Sequence, residues 1–277
     1  MRVGLFTDAF PERSLEEVLE WLDARLPSVR DLEIGTGGYS PAPHAGELTA
    51  LGGGFRIAAL NVSGNPLEVA DHDRALRETI ELARTLGVER IVCMSGGRPE
   101  LSGGAWFPHV ELAAQDYWAN RVLPYWREVA SLADEIQLCF ELEPGSAAFN
   151  VSTVDRLLEL APNLAVNLDP SHFFWQSIDP LVAIRRLAGR IGYAHAKDTV
   201  LVRERVMVDG LLDRSTWRYA TVGHGRGVKW WQMFVEELQR AGYDGVLSIE
   251  YEDPIVDAED SVVEAAGLLG GALAEHV

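Results

Sequence analysis

Short apolar runs alternate with longer stretches of helical periodicity along the whole chain. The longer stretches repeat apolar residues about every 3.6 positions, as an amphipathic helix does. One example ends at Gly87 and contains Leu76, Ile80, Ala83 and Leu86. The short runs predict eight buried strands: Val3–Thr7, Asp31–Gly35, Arg56–Val62, Arg90–Ser95, Gln137–Leu142, Leu164–Leu168, Ile191–His195 and Val246–Glu250.

A strand followed by a helix, repeated eight times over 277 residues, is the pattern of a (β/α)8 TIM barrel of the α/β class. An open doubly wound sheet is the alternative, and it places a Gly-rich phosphate turn after its first strand. Residues 6–10 read FTDAF, which favours the barrel. Because no linker, low-complexity tract or short-period repeat interrupts the pattern, we predict one domain over residues 1–277.

Three predicted strands are followed by long connections, which in a barrel rise from the C-terminal mouth where such enzymes carry out chemistry. These connections are Gly35–Ala50, Gly96–Val110 and Asp198–Val228. The second and third contain the aromatic residues Trp106, Phe107, Trp217 and Tyr219. Aromatic residues in loops usually cover another group, so we favour a lid over a ligand rather than loosely packed surface loops.

The composition excludes several classes of partner. Lys and Arg number 24 against 42 Asp and Glu, so the net charge of −18 repels nucleic-acid phosphates. No apolar run approaches the roughly 20 residues of a membrane span, and the first residues show no signal-peptide layout. Cys93 and Cys139 lie in apolar runs and are interpreted as buried thiols of a reducing compartment. We therefore expect a soluble cytoplasmic protein that binds neither nucleic acid nor membrane.

Ionisable residues end four consecutive predicted strands: Glu141, Asp169, His195 and Glu250. Three carboxylates in one apolar-walled cup repel each other, and burial raises their pKa values. A divalent cation resolves this conflict by taking three carboxylate oxygens and one imidazole nitrogen as ligands. The alternative is that each carboxylate pairs with a basic neighbour, but Lys197 is the only obvious local cation. The residues therefore predict one site for Mn, Mg, Co or Zn, with the identity of the metal open.

Five segments at these strand ends resemble the xylose isomerase-like TIM barrels, and within them the sugar phosphate isomerase/epimerase branch. The segments are residues 140–145 (FELEPG), 167–172 (NLDPSH), 195–198 (HAKD), 221–225 (TVGHG) and 248–254 (SIEYEDP). The resemblance implies that the same four residues bind the metal, that Glu141 and Glu250 form the acid/base pair, and that His172 touches substrate. It also implies a metal-dependent isomerase or epimerase acting on a sugar, sugar phosphate or polyol.

The sequence departs from its relatives in two respects. Family members often have His where Glu143 stands, so the local charge is more negative here. Related apurinic endonucleases use additional histidines for a three-metal cluster, and Ser63 and Tyr219 occupy two of those positions. The loss of those histidines, together with the net charge of −18, argues against phosphodiester cleavage in DNA.

The residues suit the implied chemistry. Removing a proton next to a carbonyl leaves an enediolate, whose oxygens a bound metal stabilises, and two bases are needed on opposite sides of the sugar. The strands that carry Glu141 and Glu250 are three steps apart around the ring. Returning the proton to the opposite face gives an epimer, and returning it to the neighbouring carbon gives an isomer.

Other candidate residues carry two interpretations each. His172 contacts a substrate hydroxyl or is structural, and Lys197 binds a substrate oxygen or offsets Glu143 or Asp198. Arg218 clamps an anionic group or is simply exposed, while Asn61 binds a polyol or forms a turn. Trp106 and Trp175 stack on a sugar ring or pack the loops. The glycines of residues 223–227 (GHGRG) cradle a phosphate or only shape a turn; without a basic cluster nearby, we favour the turn.

Two further functions stay open. A dehydratase or lyase on a keto-sugar or keto-inositol would use the same metal and bases but expel a hydroxyl. A non-catalytic sugar-binding barrel would keep the cup without turnover, although the presence of both Glu141 and Glu250 argues against it. In each case the expected partner is a small-molecule carbohydrate. A homodimer is also open, because no apolar surface stripe identifies an interface.

Overall fold

The computed structural model describes residues 1–48, 51–98, 111–213 and 215–274. Eight parallel strands close into a barrel in the order β1–β2–β3–β4–β5–β6–β7–β10, and β8 and β9 form a separate antiparallel pair. The strands are β1 (Arg2–Phe6), β2 (Asp31–Gly37), β3 (Arg56–Val62), β4 (Arg90–Met94), β5 (Gln137–Glu141), β6 (Leu164–Leu168), β7 (Ile191–Ala196), β8 (Asp198–Leu201), β9 (Trp217–Ala220) and β10 (Val246–Ile249).

Helices follow the barrel strands and cover their outer face. They are α1 (Leu15–Arg25), α2 (Ala70–Leu86), α3 (Glu111–Tyr117), α4 (Leu123–Ala133), α5 (Val151–Leu158), α6 (Ser171–Phe174), α7 (Pro180–Arg186), α8 (Arg203–Asp209), α9 (Val228–Arg240) and α10 (Ala258–Ala274). A π-helical segment, Trp118–Val122, joins α3 to α4. The predicted (β/α)8 TIM barrel is confirmed, and each of the eight predicted strands is present with its ends moved by at most two residues.

Local sequence explains where the helices begin and end. Ser14 caps α1 by accepting a hydrogen bond from the Glu17 backbone, and the Glu17 side chain accepts one from the Ser14 backbone in return. Helix α2 ends at Gly87, whose φ of +68° is a left-handed conformation that favours glycine. The buried residues of both helices recur every three or four positions, as expected for amphipathic helices that pack one face on the barrel.

The core has two parts. Between strands and helices, aliphatic side chains pack with fully buried Trp118, Trp126 and Trp231. A smaller cluster takes one residue from each of six barrel strands: Ala59, Val92, Cys139, Ala165, Tyr193 and Val246. Cys93 and Cys139 are free and buried, as predicted. Among the described helices, none combines the length and apolar character of a membrane span.

The predicted connection Asp198–Val228 is more ordered than the sequence indicated. It contains the β8–β9 hairpin, whose register pairs Asp198 with Ala220 and Leu201 with Trp217, and helix α8 between the two strands. Four-residue strands with a single partner carry little periodicity, which is why the sequence pattern did not predict them. The predicted lid over Gly96–Val110, including Trp106 and Phe107, lies largely outside the described residues.

Candidate metal centre

Four side chains from neighbouring barrel strands meet at the C-terminal mouth. Each offers one ligand atom, and these atoms all lie within 4.8 Å of one another; the residues are Glu141, Asp169, His195 and Glu250. Glu141 ends β5 and His195 lies in β7, while Asp169 and Glu250 directly follow β6 and β10. Because the strands are parallel, their carboxyl ends share one rim. The structure thus brings together the four residues predicted as ligands.

The donor set fits a divalent ion. Asp169 Oδ2 and Glu250 Oε2 are buried and receive no well-aligned hydrogen bond, although the Lys197 ammonium lies 3.2 and 2.8 Å from them. Buried oxygens with unused lone pairs are costly unless a cation shares them. Three carboxylates and one imidazole are ligands that Mn, Mg, Co and Zn accept. The described part of this rim therefore forms a cluster that could hold a metal ion.

Both glutamates of the cluster are held in the ionised form. Burial raises the pKa of Glu250, but the charges of Lys197 and His195 outweigh it and lower the pKa to about 2. Burial also raises the pKa of Glu141, and hydrogen bonds from His172 and His195 bring it well below its ordinary value. Ionised carboxylates are the form that binds a cation.

Lys197 is the basic group inside this cluster. Its Nζ lies 2.8 Å from Glu250 Oε2, 3.2 Å from Asp169 Oδ2 and 3.1 Å from Glu252 Oε1. Burial lowers the pKa of Lys197, but Glu250 and Glu252 raise it well above its ordinary value, so the ammonium is retained. One ammonium does not neutralise three carboxylates, and the imidazoles of His172 and His195, whose pKa values these acids raise, share that charge. Lys197 thus faces Asp169, Glu250 and Glu252, rather than the Glu143 or Asp198 that the sequence suggested.

His172 lies beside two of the predicted ligands. Its Nε2 is 3.1 Å from Glu141 Oε1 and 3.4 Å from Asp169 Oδ2, and its Nδ1 is 3.0 Å from the Tyr219 hydroxyl. Burial lowers the pKa of His172, but the Asp169 charge and the Glu141 hydrogen bond raise it to about 8. The imidazole lies where a substrate bound at the cluster could reach it, and its substrate contact stays a prediction.

Glu33 orients His195, and the sequence analysis missed it. The fully buried Glu33 lies on β2, with Oε1 and Oε2 at 2.9 and 3.0 Å from His195 Nε2. A carboxylate can only accept, so Nε2 carries a hydrogen and Nδ1 faces Glu250 at 2.9 Å. Metal-binding histidines commonly use their second nitrogen in this way. The sequence did contain a signal for this role, because Glu33 is an acidic residue in the middle of a strand that was predicted to be buried.

Asn61 supports the same arrangement from β3. Its Nδ2 donates a hydrogen bond of 2.7 Å to Glu33 Oε1, and both side chains are buried. Burial lowers the pKa of His195, but Glu33 and Glu250 raise it well above its ordinary value. A metal ion would therefore compete with the Nδ1 proton of His195. The predicted contact between Asn61 and a polyol stays a prediction, because the structure gives its amide this protein partner.

An aromatic wall formed by Trp175, Trp217 and Tyr219 lines one side of the mouth. Trp175 stacks on Trp217 with ring centroids 4.7 Å apart and planes within 4°, and Trp217 packs against Tyr219. Tyr219 in turn contacts His172 edge to face and lies 4.6 Å from the Lys197 ammonium. One face of the Trp175 ring is therefore covered by Trp217, and its contact with a sugar stays a prediction. Trp106, the other residue predicted to stack on a sugar, lies outside the described residues.

Arg218 is engaged within the protein. Its Nη1 donates to Asp253 Oδ1 and to the Tyr219 carbonyl, each at 3.1 Å. Asp253 also accepts hydrogen bonds from the Thr221 backbone and hydroxyl. The predicted anion clamp at Arg218 stays a prediction, and any anion would compete with Asp253 for the guanidinium.

Several known proteins are similar to this chain. Residues 39–270 match the family model described as xylose isomerase-like TIM barrel. The uncharacterized protein YfiH of Bacillus subtilis (strain 168) is 30% identical over 302 aligned positions, which cover 95% of this chain and 96% of that protein.

Solved structures share the fold over nearly the full length. The IolI protein with a bound zinc atom has a TM-score of 0.72 at 16% identity, covering 100% of this chain and 99% of its own. The probable 3-DHS dehydratase AsbF from Bacillus anthracis has a TM-score of 0.70 at 16% identity, and the match covers 98% of this chain and 99% of AsbF. L-ribulose 3-epimerase has a TM-score of 0.66 at 20% identity, and the match covers 99% of this chain and 95% of the epimerase. At these identities the likeness shows the fold.

Proposed function

The chain belongs to the xylose isomerase-like TIM barrels, and we propose that it is a divalent-metal-dependent sugar isomerase or epimerase. The observation that carries the proposal is the cluster of three carboxylates and one oriented imidazole at the barrel mouth. Two of its buried oxygens receive no well-aligned hydrogen bond, which suits a cation. The IolI zinc atom and the epimerase activity named for L-ribulose 3-epimerase agree with this proposal.

The proposed metal ligands are Glu141, Asp169, His195 and Glu250. A divalent ion held by these residues would supply the positive charge that favours loss of a proton from the carbon next to a carbonyl. Glu33 and Asn61 hold the His195 ring so that Nδ1 faces the cluster. Asp169 is anchored in turn, because its Oδ1 accepts a hydrogen bond of 2.8 Å from the Ser171 backbone.

Glu141 and Glu250 are the proposed acid/base pair. They extend from β5 and β10, which are separated by β6 and β7 around the ring, and so they approach a bound sugar from different sides. One glutamate removes the proton and the other returns it. Lys197 lies 2.8 Å from Glu250 and donates to a substrate oxygen in this scheme, while His172 orients Glu141.

A dehydratase acting on a keto-sugar or keto-inositol is the second candidate. It shares the proton abstraction but expels a hydroxyl group, which must receive a proton as it leaves. His172 favours this candidate, because its imidazole Nε2 lies 3.1 Å from Glu141 Oε1, beside the proposed base, where it is placed to give a proton to a leaving hydroxyl. The structural likeness to the probable dehydratase AsbF is compatible with it.

Exchange in heavy water distinguishes these functions. Candidate ketoses and keto-inositols are incubated in D2O with the protein and Mn²⁺. Deuterium incorporation without loss of water identifies an isomerase or epimerase, whereas a new enone or diketone absorbance identifies a dehydratase. Glu141→Gln and Glu250→Gln should remove either signal, and Glu78→Gln, at an exposed position on α2, is the matched control. Sugar binding without exchange under any metal would instead indicate a non-catalytic barrel.

A further inference from the structure

The end of the barrel opposite the metal cluster contains a cavity of about 340 Å³. Three arginines that begin barrel strands line it: Arg2 on β1, Arg56 on β3 and Arg90 on β4. Asp31, which begins β2, lies among them, and Tyr193 lines the cavity from β7. Because parallel strands begin at the same end of a barrel, ring closure brings these side chains together. We call this space the N-terminal cavity.

Asp31 uses only part of the hydrogen-bonding capacity of two of these arginines. Arg2 donates to Asp31 through Nε and Nη2 at 2.9 and 3.3 Å, and Arg56 donates through the same two nitrogens at 3.0 and 2.8 Å. Within the described chain, Nη1 of neither arginine has a hydrogen-bond partner. A guanidinium carries five N–H donors in one plane. Each arginine can therefore hold Asp31 and a second acceptor at the same time.

Arg90 is the least engaged arginine of the cavity. Its ion pair in the described chain is with the preceding residue, Glu89, at 3.4 Å, and the Glu89 side chain is 81% exposed. Water and salt screen an exposed pair of this kind, so it contributes little free energy. A bound anion would gain the Arg90 guanidinium at small cost to the protein.

The charges and donors of the N-terminal cavity favour an anion. Three guanidiniums line it, and Asp31 is the one buried acid among the lining residues, which leaves a local surplus of positive charge. Glu89 and Asp244 also line the cavity, but both are exposed, so their charges are screened. Tyr193 is 1% exposed, and its hydroxyl makes no well-aligned hydrogen bond. Unused donors therefore outnumber the buried acceptors.

From these unused donors and this surplus of positive charge, we propose that the N-terminal cavity binds a phosphate group, either as inorganic phosphate or as the phosphate of a small ester. Phosphate has more acceptor oxygens than a carboxylate, and a guanidinium binds two of them side by side. The volume of about 340 Å³ is enough for one small polar ligand. The site lies apart from the metal cluster and does not depend on the function proposed for that cluster.

Isothermal titration of inorganic phosphate into the full-length, Mg²⁺-loaded protein tests this site without any turnover. We expect saturable binding with a Kd of about 1 mM or tighter, and a melting temperature that phosphate raises relative to chloride of equal ionic strength. Arg90→Gln should weaken binding at least about tenfold, because it removes the guanidinium with the weakest protein partner. Arg74→Gln, at an exposed position on α2, is the matched control and should bind as wild type does. The absence of saturable binding to wild type would overturn the proposal.

Asp169→Ala shows at which end of the barrel the phosphate binds. Phosphate held at the metal cluster should be lost in this variant, whereas phosphate in the N-terminal cavity should be retained. Loss in Asp169→Ala with wild-type affinity in Arg90→Gln would therefore contradict the proposal. If Arg90→Gln fails to fold, Arg90→Lys keeps the charge but lacks the planar fork, and it should bind phosphate more weakly than wild type. Wild-type affinity in Arg90→Lys would then count against a site built on Arg90.

Glycerol 3-phosphate distinguishes the two sources of the phosphate group. Tighter binding of this ester than of inorganic phosphate identifies a small ester as the ligand, because the rest of the cavity then contacts the glycerol. Equal or weaker binding of the ester identifies inorganic phosphate. Both results require that Arg90→Gln weakens the binding; an affinity for both ligands that this folded variant leaves unchanged would overturn the proposal.

Discussion

Glu33 Oε1 lies 2.9 Å from Nε2 of His195, and both side chains are fully buried, although 162 residues separate them in the chain. The contact leaves Nδ1 of the imidazole facing the carboxylates of the cluster. A residue outside the ligand set thus determines which nitrogen of His195 a metal would meet.

Removing this carboxylate should weaken metal binding. We expect Glu33→Ala to lower the affinity for Mn²⁺ or Zn²⁺ by about 10- to 100-fold, because the imidazole loses its orienting partner. Glu33→Gln keeps an oxygen that accepts from Nε2, so its loss should be smaller. Isothermal titration of metal into metal-free protein measures both, with Glu78→Gln as the control. Wild-type affinity in Glu33→Ala would show that the contact does not position His195.

Added metal should stabilise the folded protein. A ligand that binds only the native state contributes about 2.7 kcal/mol at 100 times its Kd, so the melting temperature should rise across a Mn²⁺, Co²⁺, Mg²⁺ and Zn²⁺ series. Asp169→Ala should shrink that rise, because it removes a buried oxygen that receives no well-aligned hydrogen bond. A melting temperature that no metal changes, or unchanged metal content in dialysed Asp169→Ala, would contradict the assigned site.

Neutralising either proposed acid/base residue should abolish turnover while the fold survives. Glu141→Gln and Glu250→Gln keep the side-chain volume but cannot accept the substrate proton, so kcat should fall at least about 10²- to 10⁴-fold. The assay is deuterium exchange on the active sugar, with circular dichroism to verify folding. Full activity in a folded variant would remove that glutamate from the proposed role.

Asp31 lies at the end of the barrel opposite the metal cluster. Its ion pairs should make the free energy of unfolding depend on pH in the acid range. Burial raises the pKa of Asp31, but hydrogen bonds from Arg56 at 2.8 Å and Arg2 at 2.9 Å outweigh it and hold the pKa below its ordinary value. A lowered folded-state pKa gives stability that is present above the unfolded pKa of about 3.9 and is lost as the pH falls through the folded value.

The matching variant is Asp31→Asn. At pH 7 it should cost about 1 kcal/mol of unfolding free energy, a modest figure because both arginine side chains are more than half exposed and therefore screened. The difference from wild type should shrink in urea denaturation as the pH falls through the lowered folded-state pKa, because Asp31 then becomes protonated in both states. An equal difference at neutral and at acid pH would show that the ion pair does not contribute this stability.

The sequence by itself determined the barrel and which residues reach its rim. Periodicity located all eight barrel strands, and two of them, Arg56–Val62 and Leu164–Leu168, have the predicted ends. The chain direction of parallel strands then places Glu141, Asp169, His195 and Glu250 at one edge, whatever the details of packing. Local pattern is sufficient for these features because strand alternation and strand direction are properties of short segments.

The tertiary structure decided which partner each buried charge found. Glu33 pairs with His195 only because ring closure brings the side chains of β2 and β7 together inside the barrel. Lys197 likewise contacts one acid that follows β6 and two that follow β10. Asp198 accepts hydrogen bonds from the backbone of Gly223 and Arg226 because the β8–β9 hairpin returns the chain to it. A buried charge is stabilised by the opposite charge or N–H group that lies nearest in space. Packing between segments far apart in the chain determines which group that is.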